Sequence, residues 1–135
     1  MIEYDALNGI WLKTGYYRHG KGYAIKQMSD LDEMIVRILC DREQYLLPGE
    51  IKFIRLIADM SEKELGEALG LTFYDIQKWE NVIYTMTDTE ERLFRLFIKS
   101  KLGFFDKDLP LRLVKRSKNI KLEFDLGSQG WKLMR

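Results

Sequence analysis

The stretch from Ser61 to Asn81, SEKELGEALGLTFYDIQKWEN, constrains this chain more than any other part of it. Its apolar residues recur at helical spacing on both sides of Gly70, which predicts two short helices joined by a tight turn. A glycine suits the left-handed conformation of such a turn, and Gly66 is small enough for a site where two crossing helices approach each other. Thr72 is a favourable N-cap for the second helix.

The second of these helices is predicted to have an inward and an outward face. The first helix covers residues 61–69 and the second residues 72–80, in which Ile76 and Trp79 face the core. The outward positions of the second helix are Thr72, Phe73, Tyr74, Asp75, Gln77 and Lys78. This helix therefore offers polar and aromatic side chains to a partner.

Strand-like and helical segments precede this pair. Residues 9–13 and 22–27 are predicted strands joined by a turn at 15–21. The run Ser29–Asp32 is a plausible N-cap for a helix that ends near Arg42.

Residues 46–102 are predicted to be helical throughout. Pro48 suits a first helical turn, Thr87 or Asp88 caps a longer helix, and Gly103 is a natural C-cap for it. Beyond it, residues 109–114 are a candidate short helix. Residues 120–126 alternate like a strand that could pair with residues 131–134.

Bulk properties indicate a cytoplasmic protein without a membrane partner. The chain has 135 residues and is 46% hydrophobic, which is enough to build a core. No apolar run approaches the roughly 18 residues of a membrane span, and the N-terminus lacks the basic and apolar regions of a secretion signal. Because Cys40 is the only cysteine and His19 the only histidine, we expect no disulfide and no specific metal site. We also expect no cofactor.

The net charge of +1 is unevenly distributed. Residues 1–100 hold 13 Lys/Arg and 17 Asp/Glu, whereas residues 101–135 hold 9 and 4. Residues 48–80 carry four basic and seven acidic residues, a net charge of −3. Affinity for a polyphosphate partner depends mostly on neutralising its charge, so binding of such a partner by this region would need cations from elsewhere. Two sets could supply them: Lys13, Arg18, Lys21 and Lys26, or the basic stretch from Lys107 to Lys121.

No group of residues assembles a catalytic site. The glycines at 20 and 22 lack the following helix of a nucleotide-binding loop. His19 and Cys40 are distant in sequence, and nothing near them indicates an activated nucleophile. The sequence predicts that the protein is not an enzyme.

The segment Ser61–Asn81 resembles the helix-turn-helix of the Cro/C1 (XRE) repressor family. In that family the second helix ends in an apolar–glutamate pair such as Trp79-Glu80, followed here by Asn81. Leu47 to Asp59 and Thr87 to Leu102 match the family's flanking helices. The resemblance implies that the second helix lies in the major groove and presents side chains to base edges.

A narrower resemblance is to the MqsA-like antitoxin regulators. The segment from Tyr4 to Gly15, the run LPGEIKFIR from Leu47 to Arg55 and the terminal Gly130-Trp131 resemble parts of that group. MqsA itself begins with a cysteine-coordinated zinc module, and this chain lacks those cysteines. The resemblance implies an antitoxin that represses its own operon, with a toxin protein as a second partner.

The predicted fold is therefore mainly α. It comprises a lambda-repressor-like helix-turn-helix domain with a small N-terminal β element and a short C-terminal extension, which could be a β-hairpin. The corresponding domains are residues 1–45 for the β element and first helix, 46–103 for the DNA-binding domain and 104–135 for the basic extension.

The candidate DNA-binding residues are Glu62, Lys63, Thr72, Phe73, Tyr74, Gln77 and Lys78. Gln77 can pair bidentately with adenine, and Lys78 can reach guanine or a phosphate. Tyr74 could donate to a phosphate, and Phe73 could contact a thymine methyl. Glu62 stands where the family commonly has a glutamine.

The predicted function is sequence-specific DNA binding by a homodimeric repressor, because proteins of this type read palindromes as two-fold dimers. The alternative is a protein-interaction module that keeps the helix-turn-helix scaffold but has lost DNA affinity. In that case Phe73 and Tyr74 are a packed aromatic pair in a binding or dimer surface. The acidic charge of residues 48–80 favours the alternative.

Overall fold

The computed structural model describes residues 1–105, 107–115 and 121–134. They contain these strands and helices: β1 (Ile2–Glu3), β2 (Ile10–Leu12), β3 (Tyr16–His19), β4 (Gly22–Ile25), α1 (Met28–Asp41), α2 (Pro48–Ile57), α3 (Glu62–Leu69), α4 (Phe73–Asn81), α5 (Asp88–Leu102), β5 (Leu122–Gly127) and β6 (Gly130–Met134). None of the described helices is both long enough and apolar enough to span a bilayer. The chain divides into two units, Met1–Ile35 with Ser117–Arg135, and Val36–Arg116.

The first unit contains the six strands of the described residues, arranged in two sheets. One sheet has the order β1-β2-β5-β6, and β3 and β4 form the other. In the larger sheet β2 runs parallel to β5, whereas β1 pairs antiparallel with β2 and β6 pairs antiparallel with β5. Leu12 and Phe124 are fully buried and are direct partners across the parallel pair.

The prediction of a mainly α fold with a small N-terminal β element is wrong. The structure has five helices and six strands among the described residues, and the strands near the N-terminus complete a mixed sheet with those near the C-terminus. The pairs Ile10↔Leu122 and Leu12↔Phe124 join residues more than 100 positions apart. Hydrophobic alternation indicates a strand but does not identify a partner so distant in the chain.

The predicted pairing of residues 9–13 with residues 22–27 is also wrong. β2 pairs with β1 and β5, and β4 instead pairs with Tyr16–His19, where the sequence indicated a turn. The real turn is shorter, at Gly20 and Lys21 between β3 and β4. Helix α1 begins at Met28, so Ser29 lies within it rather than at its cap.

Toward the C-terminus, one expected helix is absent. Residues 109–114 contain no helix, and Val114 instead forms a parallel bridge with Gln44. The N–H of Val114 donates to Glu43 O (2.9 Å), and the N–H of Tyr45 donates to Val114 O (2.9 Å). These long-range hydrogen bonds replace the local ones of a helix. β5 and β6 form an antiparallel hairpin in the predicted place, although Ile120 lies outside the described residues.

Substitution of Gly15 tests how tightly the first unit is packed, because this glycine has a φ of +80° and lies against the Trp131 indole. A Cβ at this position would overlap the indole and lie 2.9 Å from Leu126 Cβ. We expect Gly15→Ala to destabilise the protein by about 2–4 kcal/mol, from overpacking and the left-handed backbone together. Chemical denaturation followed by circular dichroism measures the change.

Gly20→Ala is the matched control, because Gly20 also has a positive φ (+59°) but no atom within 4 Å of the added Cβ. It should cost about 1–2 kcal/mol, the contribution of the backbone alone. Equal losses in the two variants would contradict the packing role of Gly15.

The second unit contains helices α2 to α5 and the C-terminal part of α1. Its fully buried apolar side chains include Ile54, Leu65, Ile76, Phe94 and Ile98. Arg95 is buried with them, and its guanidinium donates to backbone carbonyls near the end of α1. The acceptors are Cys40 O (3.2 Å), Arg42 O and Gln44 O (2.7 Å).

Candidate nucleic-acid interface

Both helices of the Ser61–Asn81 segment begin with a capping box, in which the cap residue and the residue three positions later bond to each other. Ser61 Oγ accepts from the N–H of Glu64 (3.0 Å), and Glu64 Oε1 accepts from the N–H of Ser61 (3.0 Å). In the same way, Thr72 Oγ1 accepts from the N–H of Asp75 (3.2 Å), and Asp75 Oδ2 accepts from the N–H of Thr72 (2.9 Å). Asp75 is therefore the cap carboxylate of α4, which accounts for an acid on a helix proposed to face phosphates.

The cap hydrogen bonds also lower the pKa of both carboxyl groups. The backbone N–H of Ser61 lowers the pKa of Glu64, and that of Thr72 lowers the pKa of Asp75. A carboxylate whose pKa is lower in the folded state stabilises the fold when the pH is above its pKa in the unfolded chain. That stabilisation is lost as the pH falls through the pKa of the folded state. Both caps are thus complete at neutral pH and weaken in acid.

The turn between α3 and α4 packs directly on a glycine. Gly70 ends α3 with φ 72°, and the N–H of Leu71 donates to Gly66 O (2.7 Å). A Cβ on Gly66 would lie 3.0 Å from Leu71 O and 3.1 Å from Thr72 O. The backbone of the turn, rather than a side chain, therefore occupies the space next to Gly66.

The inward face of α4 is fixed by apolar packing and by an ion pair. Ile76 and Trp79 are buried, and the Trp79 ring meets Phe94 edge-on at 6.2 Å between centroids. Arg55 of α2 donates to both carboxylate oxygens of Glu80, from Nε (2.6 Å) and from NH2 (2.9 Å). Its NH1 also donates to Met60 O (2.9 Å).

Glu80 belongs to the Trp79-Glu80 pair of the motif, but its ion pair with Arg55 was not predicted. The two side chains are only 7% and 3% exposed, so the bidentate pair is shielded from water. The hydrogen bond to Glu80 raises the pKa of Arg55. The only available signal was an arginine on α2, the helix before the α3–α4 pair, because Arg–carboxylate bonding is favoured where planar bidentate geometry is available. No local pattern shows that this arginine reaches Glu80.

The outward face of α4 is partly as predicted. Tyr74 is 76% exposed and Phe73 is 39% exposed. Their rings pack edge-on, with 5.4 Å between the ring centroids. Thr72 and Lys78 are also exposed, but Asp75 and Gln77, which were predicted to be exposed, are half-buried. The side-chain amide of Asn81 donates a hydrogen bond to Gln77 O (2.6 Å).

The two candidate residues on α3 differ from each other. Lys63 is exposed, whereas Glu62 is half-buried and its charge contributes to the raised pKa of Arg55. Glu62 therefore lies within electrostatic reach of the Arg55–Glu80 pair. Lys63 and Lys78 are the two cations of the Ser61–Asn81 segment.

The cysteine has no property of an activated nucleophile. Burial raises the pKa of the Cys40 thiol to about 12, so the thiol stays protonated at neutral pH. Within the described ranges, no cluster of three or more His, Cys, Asp or Glu side chains is arranged to hold a metal ion.

Comparison with protein-family models, with curated proteins and with solved structures gives no match for this chain. The resemblance to Cro/C1-type regulators and MqsA-like antitoxins stays a prediction that depends on the motif residues themselves.

Proposed function

We propose that this protein binds double-stranded DNA sequence-specifically through α4 and acts as a transcriptional repressor. The observation that carries the proposal is the contrast between the two faces of α4. Trp79 and the Arg55–Glu80 pair hold one face in the core, whereas Thr72, Phe73, Tyr74 and Lys78 are exposed on the other side. The major groove of B-DNA admits one α-helix, and a rigidly mounted helix positions its side chains for base contacts.

The motif resemblance supports a more specific role. It favours a homodimeric repressor in the cytoplasm, and an antitoxin that represses its own operon with a toxin protein as second partner. Two copies would double the phosphate contacts of each helix and read a palindromic site.

Two adjacent residues of α4 test this function. Sites are first selected from random duplexes, and affinity is then measured by fluorescence anisotropy. Gln77→Ala should weaken binding to the selected site by about 1–3 kcal/mol and relax preference at one base pair. Lys78→Ala should weaken binding to all duplexes and reduce the magnitude of the salt slope by about 1.

The matched control is Lys52→Ala, which removes an exposed lysine from α2 rather than α4. It should leave base preference unchanged. If the unmodified protein binds no duplex even in low salt, the DNA-binding proposal is wrong.

The exposed Phe73–Tyr74 pair, together with the acidic charge of residues 48–80, favours a protein-interaction module as the second candidate. In that case Phe73→Ala with Tyr74→Ala abolishes partner binding, whereas Gln77→Ala and Lys78→Ala leave DNA affinity at background.

A further inference from the structure

The hairpin formed by β3 and β4, residues 16–25, is a two-stranded ribbon with little burial. Tyr17 and Tyr23 are 51% and 50% exposed, and no residue of either strand is fully buried. A lone two-stranded hairpin is only marginally stable in water, so the ribbon needs support from elsewhere in its unit.

That support is at the base of the ribbon. The Trp131 indole N–H donates to Lys26 O (3.2 Å) and Gln27 O (3.1 Å), and the N–H of Lys26 donates to Gly15 O (2.8 Å). The ring lies against Gly15, where no side chain could be placed. The base is thus fixed within its unit, while the tip around Gly20 and Lys21 is exposed.

The charge of this part of the chain is of one sign. Residues 6–29 contain no Asp or Glu, although the whole chain has 21 of them. The same residues contain four cations, Lys13, Arg18, Lys21 and Lys26, all of which are exposed. Two of them, Arg18 and Lys21, lie on the ribbon itself, which carries no acidic residue. Positive charge on an exposed ribbon attracts polyanions.

Aromatic rings lie on both faces of the ribbon, and on one face a ring is next to Arg18. Arg18 pairs directly with Tyr23 across the strands, and its guanidinium lies 6.0 Å from the centre of that ring. On the opposite face, the rings of Tyr17 and His19 pack edge-on, with 6.5 Å between the ring centroids. At the tip, a Cβ on Gly20 or Gly22 would meet nothing within 4 Å, so a large partner could approach the backbone closely.

We propose that the β3–β4 ribbon binds the sugar-phosphate backbone of double-stranded DNA, with Arg18 and Lys21 each neutralising a phosphate. This inference rests on the proposed function and deepens it, because it supplies cations that the acidic α3–α4 region lacks. Tyrosine hydroxyls donate to phosphate oxygens, so the exposed Tyr17 and Tyr23 can add to these backbone contacts. The exposed large side chains of the ribbon are tyrosines rather than the Leu, Phe or Trp that insertion into a membrane surface requires.

The double variant Arg18→Gln/Lys21→Gln tests the proposal in the full-length protein. Its affinity for a fluorescein-labelled duplex is measured by anisotropy over a series of salt concentrations. Loss of two phosphate contacts should make the slope of log affinity against log salt shallower by about 2. The charge-preserving variant Arg18→Lys/Lys21→Arg should keep the original slope.

The control Lys52→Gln/Lys132→Gln removes the same charge from two exposed positions outside the ribbon. It should change the slope by much less than the ribbon variant. A ribbon variant indistinguishable from this control overturns the proposal, and if Lys78→Ala still weakens binding, the function of α4 stands.

The remaining outcomes separate the two proposals. A shallower slope in the ribbon variant with no effect of Gln77→Ala or Lys78→Ala supports the ribbon and overturns the role of α4. Failure of the unmodified protein to bind any duplex overturns both. Binding to phosphatidylglycerol vesicles that the ribbon variant loses, with unchanged DNA affinity, overturns the ribbon proposal in favour of a membrane surface.

Discussion

Replacing Trp79 with alanine should destabilise the protein by about 3–5 kcal/mol, which is a large part of the stability of a small domain. The Trp79 side chain is 3% exposed and packs edge-on against Phe94, so its removal leaves a cavity between α4 and α5. Loss of the helical circular dichroism signal at lower denaturant concentration measures the effect. DNA affinity should fall with it, because α4 loses its apolar attachment.

Tyr74→Ala is the matched control, since it removes an aromatic ring from the same helix. Tyr74 is 76% exposed, and its loss should change the free energy of unfolding by no more than about 0.5 kcal/mol. An unfolding midpoint of Trp79→Ala equal to that of Tyr74→Ala would show that α4 is not held by its tryptophan.

Replacing Arg95 with methionine should cost about 3–5 kcal/mol, because it leaves a buried carboxylate without its counter-ion. Arg95 NH2 donates to Glu91 Oε2 (2.7 Å), and both side chains are at most 2% exposed. Burial raises the pKa of Glu91 and lowers that of Arg95, so each charge depends on the other. Arg95 also donates to three carbonyl groups near the end of α1, and these hydrogen bonds would be lost as well.

Arg92 offers a control on the same helix, because it too donates to backbone carbonyls, those of Pro110 (2.7 Å) and Leu111 (2.9 Å). It is only half-buried, and these acceptors are neutral carbonyls rather than a buried carboxylate, so Arg92→Met should cost about 1 kcal/mol. Adding Glu91→Gln to Arg95→Met should recover part of the loss. No recovery in the double variant would mean that the carbonyl bonds, rather than the charge on Glu91, dominate.

The α3–α4 pair was predictable because its signals are local. The capping boxes join residues three positions apart, Ser61 with Glu64 and Thr72 with Asp75. The left-handed Gly70 ends α3 as expected, and the inward positions of Ile76 and Trp79 follow from helical periodicity.

The details of the candidate interface were less predictable. Helical periodicity assigned Gln77 to the exposed face, but the structure leaves it half-buried. The partner of Glu80 is Arg55, 25 positions earlier, and no local pattern identifies it. Side-chain exposure and ion pairing depend on how the helices pack, which periodicity alone does not specify.

Local patterns were enough to place α2 to α5 and the turn at Gly70, because each depends on hydrogen bonds and steric preferences within a few residues. Contacts between distant parts of the chain instead set the pairing of β2 with β5, the pairing of β3 rather than β2 with β4, and the non-helical conformation of residues 109–114. A strand satisfies its backbone groups through a neighbour that can lie anywhere in the chain. The same short apolar segment is therefore compatible with several partners until the whole molecule has folded.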